Sequence, residues 1–149
     1  MAVAEDFSFE ERQEQERMVL ESVDRFLDKD VAPYAHDLEA DDTYPQEIVD
    51  KMVDMGLFGA TIGAEYGGLG LSVSTYAKIV ERVSTVWMSV SGIFNSHLIM
   101  AAAVERAGTD EQKAKWLPKF ASGELRGGIA LTEPCLLYTS DAADETCRV

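Results

Sequence analysis

Residues 86–104 read VWMSVSGIFNSHLIMAAAV, and this run constrains the chain more than any other. A helix so apolar needs either a bilayer or a wall of other helices around it. Ser89, Ser91, Asn95, Ser96 and His97 interrupt the run, and Arg82, Glu105 and Arg106 flank it. Polar groups at that density are costly in hydrocarbon but can be satisfied inside a protein. The segment therefore reads as the central helix of a water-soluble bundle, with no membrane span.

The flanking segments supply the wall. Ser8 followed by Glu11 fits a capping box. Beyond it Val19, Val23, Phe26, Leu27 and Val31 recur at spacings of three and four, the period of a helix with one apolar stripe. Pro33 is expected to end that helix. Pro45 opens a second helix, whose Ile48, Val49, Met52 and Met55 face inward and whose end is capped by Gly56. After the glycine-rich stretch GLFGATIGAEYGGLGLS, Ser72 caps a third helix carrying Val73, Tyr76, Ile79, Val80 and Val83. The apolar helix follows, ending near Gly108. Thr109 and Gln112 form a capping box for a fifth helix with Trp116 and Leu117, which stops around Pro118 to Gly123. Only GGIALTE reads as extended. The fold class is all-α, cut off as a sheet begins.

Composition removes several classes of function. A formal net charge of −14, most of it before residue 55, repels phosphate backbones and anionic membranes, so no nucleic-acid partner is expected. The N-terminus lacks the basic start and apolar stretch of a secretory signal. Cys135 and Cys147 are the only cysteines, so no disulfide framework supports the preceding residues. At 149 residues the chain can bury one core.

Among candidate sites, the glycine stretch lacks phosphate-loop spacing. Gly68 and Gly70 have no third glycine at position 73, and no Lys-Ser/Thr pair follows. His97 has no second metal ligand three or four residues away, and Ser96 beside it points about 100° off around a helix, wrong for a nucleophile–base pair. A satisfied buried histidine is the default. Ser91, Gly92, Asn95 and Ser96 are small and polar on an inner helix. The room they leave suits either another helix or a ligand channel, and the residues alone do not choose between them.

The order of the pieces is more specific than any one of them. EYGGLGLS, then GTDEQKAKWLP, then ALTEP, in this spacing, resembles the N-terminal half of the acyl-CoA dehydrogenase family over residues 7–134. The resemblance implies a helical N-terminal domain over residues 1–123, the start of a middle β-domain over 124–134, and a further helical domain beyond. It implies FAD, an acyl-CoA thioester as substrate, and α,β-dehydrogenation with hydride transfer to the flavin. An electron-transfer flavoprotein would be the acceptor, and a homotetramer or homodimer the assembly. By the same resemblance Ile129, Leu131 and Thr132 fall on the flavin-touching strand, and Ser91, Gly92, Asn95 and Ile99 on the helix lining the acyl channel. That tilts the open choice toward a channel. The family's glutamate base would lie past this chain, so no catalytic residue and no metal ligand is assigned. The expected location is the cytoplasm of a bacterium, with the mitochondrial matrix as the alternative.

Two departures stand out. A proline is common in the family where Gly63 stands. After TEP the family continues with a glycine-rich run, whereas Cys135, Leu136, Leu137 and Tyr138 stand here, too bulky for close backbone approach to a ligand. Residues 135–149 resemble translated adapter sequence and are expected to be foreign, leaving an inactive fragment. The alternatives are a non-enzymatic helical binding module, or an oxidase or monooxygenase on the same scaffold.

Overall fold

Every helix expected from the three/four rhythm is present in the computed structural model, which describes residues 9–128. Among these residues six α-helices are found: α1 (Phe9–Phe26), α2 (Ala32–Ala40), α3 (Gln46–Asp54), α4 (Val73–Val86), α5 (Met88–Ala107) and α6 (Asp110–Ala121). No strand occurs among the described residues. Residues 124–128 carry no regular structure, and the rest of the expected strand, like Ser8 and residues 135–149, lies outside them.

The sixth helix arises because Pro33 does not end the first. Leu27–Val31 forms a π-turn in which the Ala32 N–H reaches back to the Leu27 carbonyl. That wider turn lets Pro33 fall in the first turn of α2, where a missing N–H leaves no bond unmade. Pro118 is likewise accommodated inside α6, which runs on to Ala121.

The caps follow the sequence. The Ser72 hydroxyl accepts from the Thr75 N–H at 3.1 Å. The Thr109–Gln112 box is reciprocal, the Gln112 side chain accepting from Thr109 N–H at 2.8 Å and the Thr109 hydroxyl from Gln112 N–H at 3.3 Å. Gly56 follows α3 in the left-handed region, at φ 73°.

Packing sorts the apolar stripes. Val23, Val31, Val49, Met52, Phe58, Ile79, Phe94 and Leu117 are fully buried. Val73 was expected on the inner stripe of α4 but is 77% exposed, because it occupies the first position after the cap and precedes the turn that meets α1. Across the α1–α4 contact, Glu16 takes Lys78 and the Thr75 hydroxyl (2.7 Å), and Asp24 pairs with Arg82 at 2.9 Å. These hydrogen bonds hold the Glu16 carboxyl below its usual range. Surface pairs of this kind add little stability each, but they fix register.

The glycine stretch is a packed connector. Leu69 N–H donates to the Gly59 carbonyl (2.9 Å), Gly70 N–H to Ile62 (2.9 Å) and Leu71 N–H to Ala60 (2.8 Å). Amides spent on the loop's own carbonyls cannot cradle a phosphate, which agrees with the missing spacing. A single extended residue, Trp87, then turns α4 into α5. Its indole N–H donates to the Glu39 carboxylate, which also accepts from Ser89 at 3.2 Å, so the end of α2 braces this corner.

Candidate functional site

The central apolar helix is covered on one side only. Val90, Phe94, His97, Leu98 and Ala101 of α5 are buried, whereas Met88 is 75% and Ile99 50% exposed. Among the described residues, nothing packs over the stripe Met88, Gly92, Ser96, Ile99 and Ala103, whose spacing of three and four puts it on one face. A Cβ added at Gly92 would meet no atom within 4 Å. Glycine in a helix interior is unfavourable by about 1 kcal/mol relative to alanine, and no close packing here explains it.

The four residues assigned to an acyl channel divide. Gly92 and Ile99 lie on the bare face, and Asn95 is half-buried at its edge. Its side-chain oxygen accepts from the Tyr76 hydroxyl on α4, whose burial raises the phenol's pKa. Ser91 turns the other way. It is buried, accepts from the Ser84 hydroxyl at 2.9 Å and donates to the Met88 carbonyl at 2.8 Å. Its hydroxyl holds α4 against α5 from behind the face.

Toward its C-terminus the face opens into a groove of about 390 Å³ between α5 and α6, lined by Met100, Ala103, Val104, Ala107, Gly108, Gln112 and Trp116. Trp116 stacks on Phe120 at 6.3 Å between ring centroids, and the Lys115 ammonium lies 4.5 Å over its ring. The groove was not foreseen. Of its lining, only the small residues Ala103, Ala107 and Gly108 are visible in the sequence as a signal.

Residues leaving the helical domain cross the same region. A Cβ at Gly127 would stand 2.8 Å from the Met100 methyl group, so the exit segment lies against the groove's wall. Past Glu124, which itself pairs with Lys119 at 3.1 Å, three bonds tie it down: Leu125 N–H to the Lys119 carbonyl (3.1 Å), Arg126 to the Tyr44 hydroxyl (3.3 Å) and Gly127 N–H to His97 Nδ1 (3.3 Å). His97 is thus the satisfied buried histidine expected. Ile129, Leu131 and Thr132, assigned to flavin contact, lie outside the described residues. Among the described residues no group of His, Cys, Asp and Glu could hold a metal ion, and no helix is long and apolar enough to cross a membrane.

Known proteins give this arrangement a context. The family model described as acyl-CoA dehydrogenase, N-terminal domain, matches residues 13–124. A (2S)-methylsuccinyl-CoA dehydrogenase from Cereibacter sphaeroides is 40% identical over 122 residues, which are 81% of this chain and 22% of the relative. The solved butyryl-CoA dehydrogenase of Megasphaera elsdenii superposes with a TM-score of 0.77 at 26% identity, over 88% of this chain and 34% of that one. An acyl-CoA dehydrogenase from Bacillus anthracis, solved in complex with FAD, gives 0.69 at 29% identity, over 89% of this chain and 23% of that one. The chain therefore spans between about a fifth and a third of the length of these proteins.

Proposed function

The chain belongs to the acyl-CoA dehydrogenase family, and we propose from that premise that it is the helical domain walling one side of an acyl-CoA and flavin site. The observation that carries this reading is the bare face of α5, which runs without interruption from Gly92 to the groove at Met100 and the exit segment. An apolar wall with small residues and one fixed amide is what a fatty acyl chain requires of a protein.

On this reading Gly92 and Ile99 bound the acyl chain, and Asn95, held by Tyr76, presents its amide N–H groups at the edge. Ser91 supports them from behind. Residues Ile129, Leu131 and Thr132 would meet the flavin ring, Thr132 through its hydroxyl. The described residues fit the apolar part of such a site and not its phosphates, since the amides of the glycine connector are spent internally. FAD would supply the hydride acceptor for α,β-dehydrogenation, with electrons passing to an electron-transfer flavoprotein. The catalytic base and most flavin contacts are assigned to parts of the enzyme beyond this chain. The domain's own contribution is orientation and exclusion of water. The chain by itself is expected to be inactive, and an assembly of two or four copies belongs to the longer enzyme.

Amide chemical shifts of the labelled chain, titrated with butyryl-CoA, octanoyl-CoA and free CoA, test the wall. Perturbations at Gly92, Asn95 and Ile99 with the acylated forms and not with CoA are expected. No perturbation on α5 at millimolar acyl-CoA, or the same one with free CoA, overturns the assignment.

A further inference from the structure

His97 uses both of its ring nitrogens on backbone atoms. Its side chain is 0% exposed, with the Phe58 and Phe120 rings edge-on at 5.2 and 5.7 Å. Nδ1 lies 3.3 Å from Gly127 N, and Nε2 3.2 Å from the Phe120 carbonyl oxygen. An amide N–H can only donate and a carbonyl can only accept. Nδ1 is therefore the bare nitrogen and Nε2 carries the proton, so two backbone groups fix one neutral tautomer.

Three elements enclose the ring. The turn Leu57–Gly59 brings Phe58, α6 brings Phe120, and the exit segment brings Arg126. Arg126 is the charged group acting on it among the described residues, its guanidinium 6.0 Å from the Phe58 ring centroid. Burial lowers the imidazole's pKa from the ordinary histidine value, the Phe120 and Phe58 carbonyls oppose that, and Arg126 adds to it.

We propose that His97 is a positioning residue that sets, through the Gly127 N–H, where the chain leaves the helical domain toward residues 129–132, and that protonating Nδ1 unfastens this tie. The added proton would point at the Gly127 N–H, replacing acceptor with donor. The other ties, a backbone amide on the Lys119 carbonyl, a guanidinium on the Tyr44 hydroxyl and the Lys119–Glu124 pair, involve no imidazole. His97 is thus the fastening that responds to mild acid. Only the significance of residues 129–132 rests on the flavin reading; the latch stands on the geometry.

Nitrogen-15 shifts of His97 and hydrogen exchange at Gly127 test it in the full chain. The expected result is an Nε2–H tautomer, with Gly127 protection falling roughly tenfold as acidification protonates the ring, a step followed in its own nitrogen-15 shifts, as loss of one hydrogen bond allows. The Leu69 amide, bonded to the Gly59 carbonyl at 2.9 Å, should hold its protection throughout. In His97→Gln the amide can accept from Gly127 and donate to Phe120, so protection should persist and lose its pH dependence. An Nδ1–H tautomer, or Gly127 protection in the wild type that ignores pH, overturns the proposal. Should the variant fail to fold, the wild-type tautomer and pH profile decide alone. Neither measurement involves flavin or thioester, so a failed acyl-CoA titration would sink the functional reading and leave the latch standing.

Discussion

The Tyr76 hydroxyl on α4 donates to the side-chain oxygen of Asn95 on α5, so the edge of the bare face is held from the layer behind it. The geometry gives the half-buried phenol a partner and, among the described residues, leaves the Asn95 NH2 without one.

Removing that hydroxyl should be felt in stability and in little else. Tyr76→Phe is expected to cost about 1 kcal/mol, the net worth of one hydrogen bond, and Asn95→Ala a similar amount. In a urea-denaturation double-mutant cycle the two losses should not add, because they break the same bond. Additive losses would show that the pair contributes no coupling.

The glycine connector yields two substitutions of opposite sign. A Cβ at Gly68 would stand 2.2 Å from the Ile62 carbonyl oxygen and 2.7 Å from that of Gly59, backbone atoms that cannot swing aside. Gly68→Ala should therefore destabilise by roughly 2–3 kcal/mol. Gly63 sits at φ −57° and ψ 147°, within proline's range, and only the flexible end of Glu65 lies close to its would-be Cβ. Gly63→Pro should raise stability by about 0.4–1 kcal/mol, chiefly by restricting the unfolded chain. Thermal melts of the two variants should bracket the wild type.

How far these features could be read in advance depended on whether their cause was local. Caps were legible because Ser72, Thr109 and Gln112 satisfy amides three residues away. Inner positions such as Val23, Met52 and Ile79 were legible because burial repeats with the helical period. Pro33 was misjudged because its effect depends on the turn before it, and a π-turn has no sequence signature of its own. The bare side of α5 was hidden for a related reason. Apolar residues all round a helix call for cover on every side, but do not say which side this stretch of chain supplies. The Arg126–Tyr44 and Gly127–His97 ties join residues far apart in sequence, and no spacing rule reaches across that distance.

Stability should fall in mild acid, and the direction follows from His97. Its folded pKa lies below the unfolded value, so between the two the unfolded chain binds more protons. The contribution is complete above about pH 6.5 and is lost as pH falls from there through the folded pKa. Glu14 and Glu16, whose pKa values are lowered from 4.5 by Arg17 and by Lys78 with Thr75, act the same way in a more acidic window. Urea midpoints taken across the histidine range should therefore drop for the wild type and stay flat for His97→Gln. A wild-type midpoint that is constant or rises on acidification would contradict the assignment.

The bare face of α5 should also govern self-association, and salt should reveal it. Met88 at 75% and Ile99 at 50% exposure lie on a stripe that nothing covers among the described residues, and the groove at Met100 extends it. Apolar surface of this kind drives association in proportion to the area it removes from water. Opposing it is a net charge of −14, which repels a second copy. The repulsion acts over a Debye length that shrinks from about 30 Å at 0.01 M salt to about 8 Å at 0.15 M, while the apolar attraction does not weaken. Sedimentation velocity should thus find a monomer at low ionic strength and concentration-dependent association at moderate ionic strength, the reverse of an ion-pair interface. Ile99→Lys should suppress that association by placing a charge in the centre of the stripe. The same series on a chain ended at residue 123 separates two sources of attraction. Association that survives the shortening belongs to the helical face; association that vanishes belongs to the residues after 123, whose expected strand would offer an unpaired edge. Clean monomers of both chains at every salt concentration would mean that this surface is too small or too polar at its margins to hold a partner.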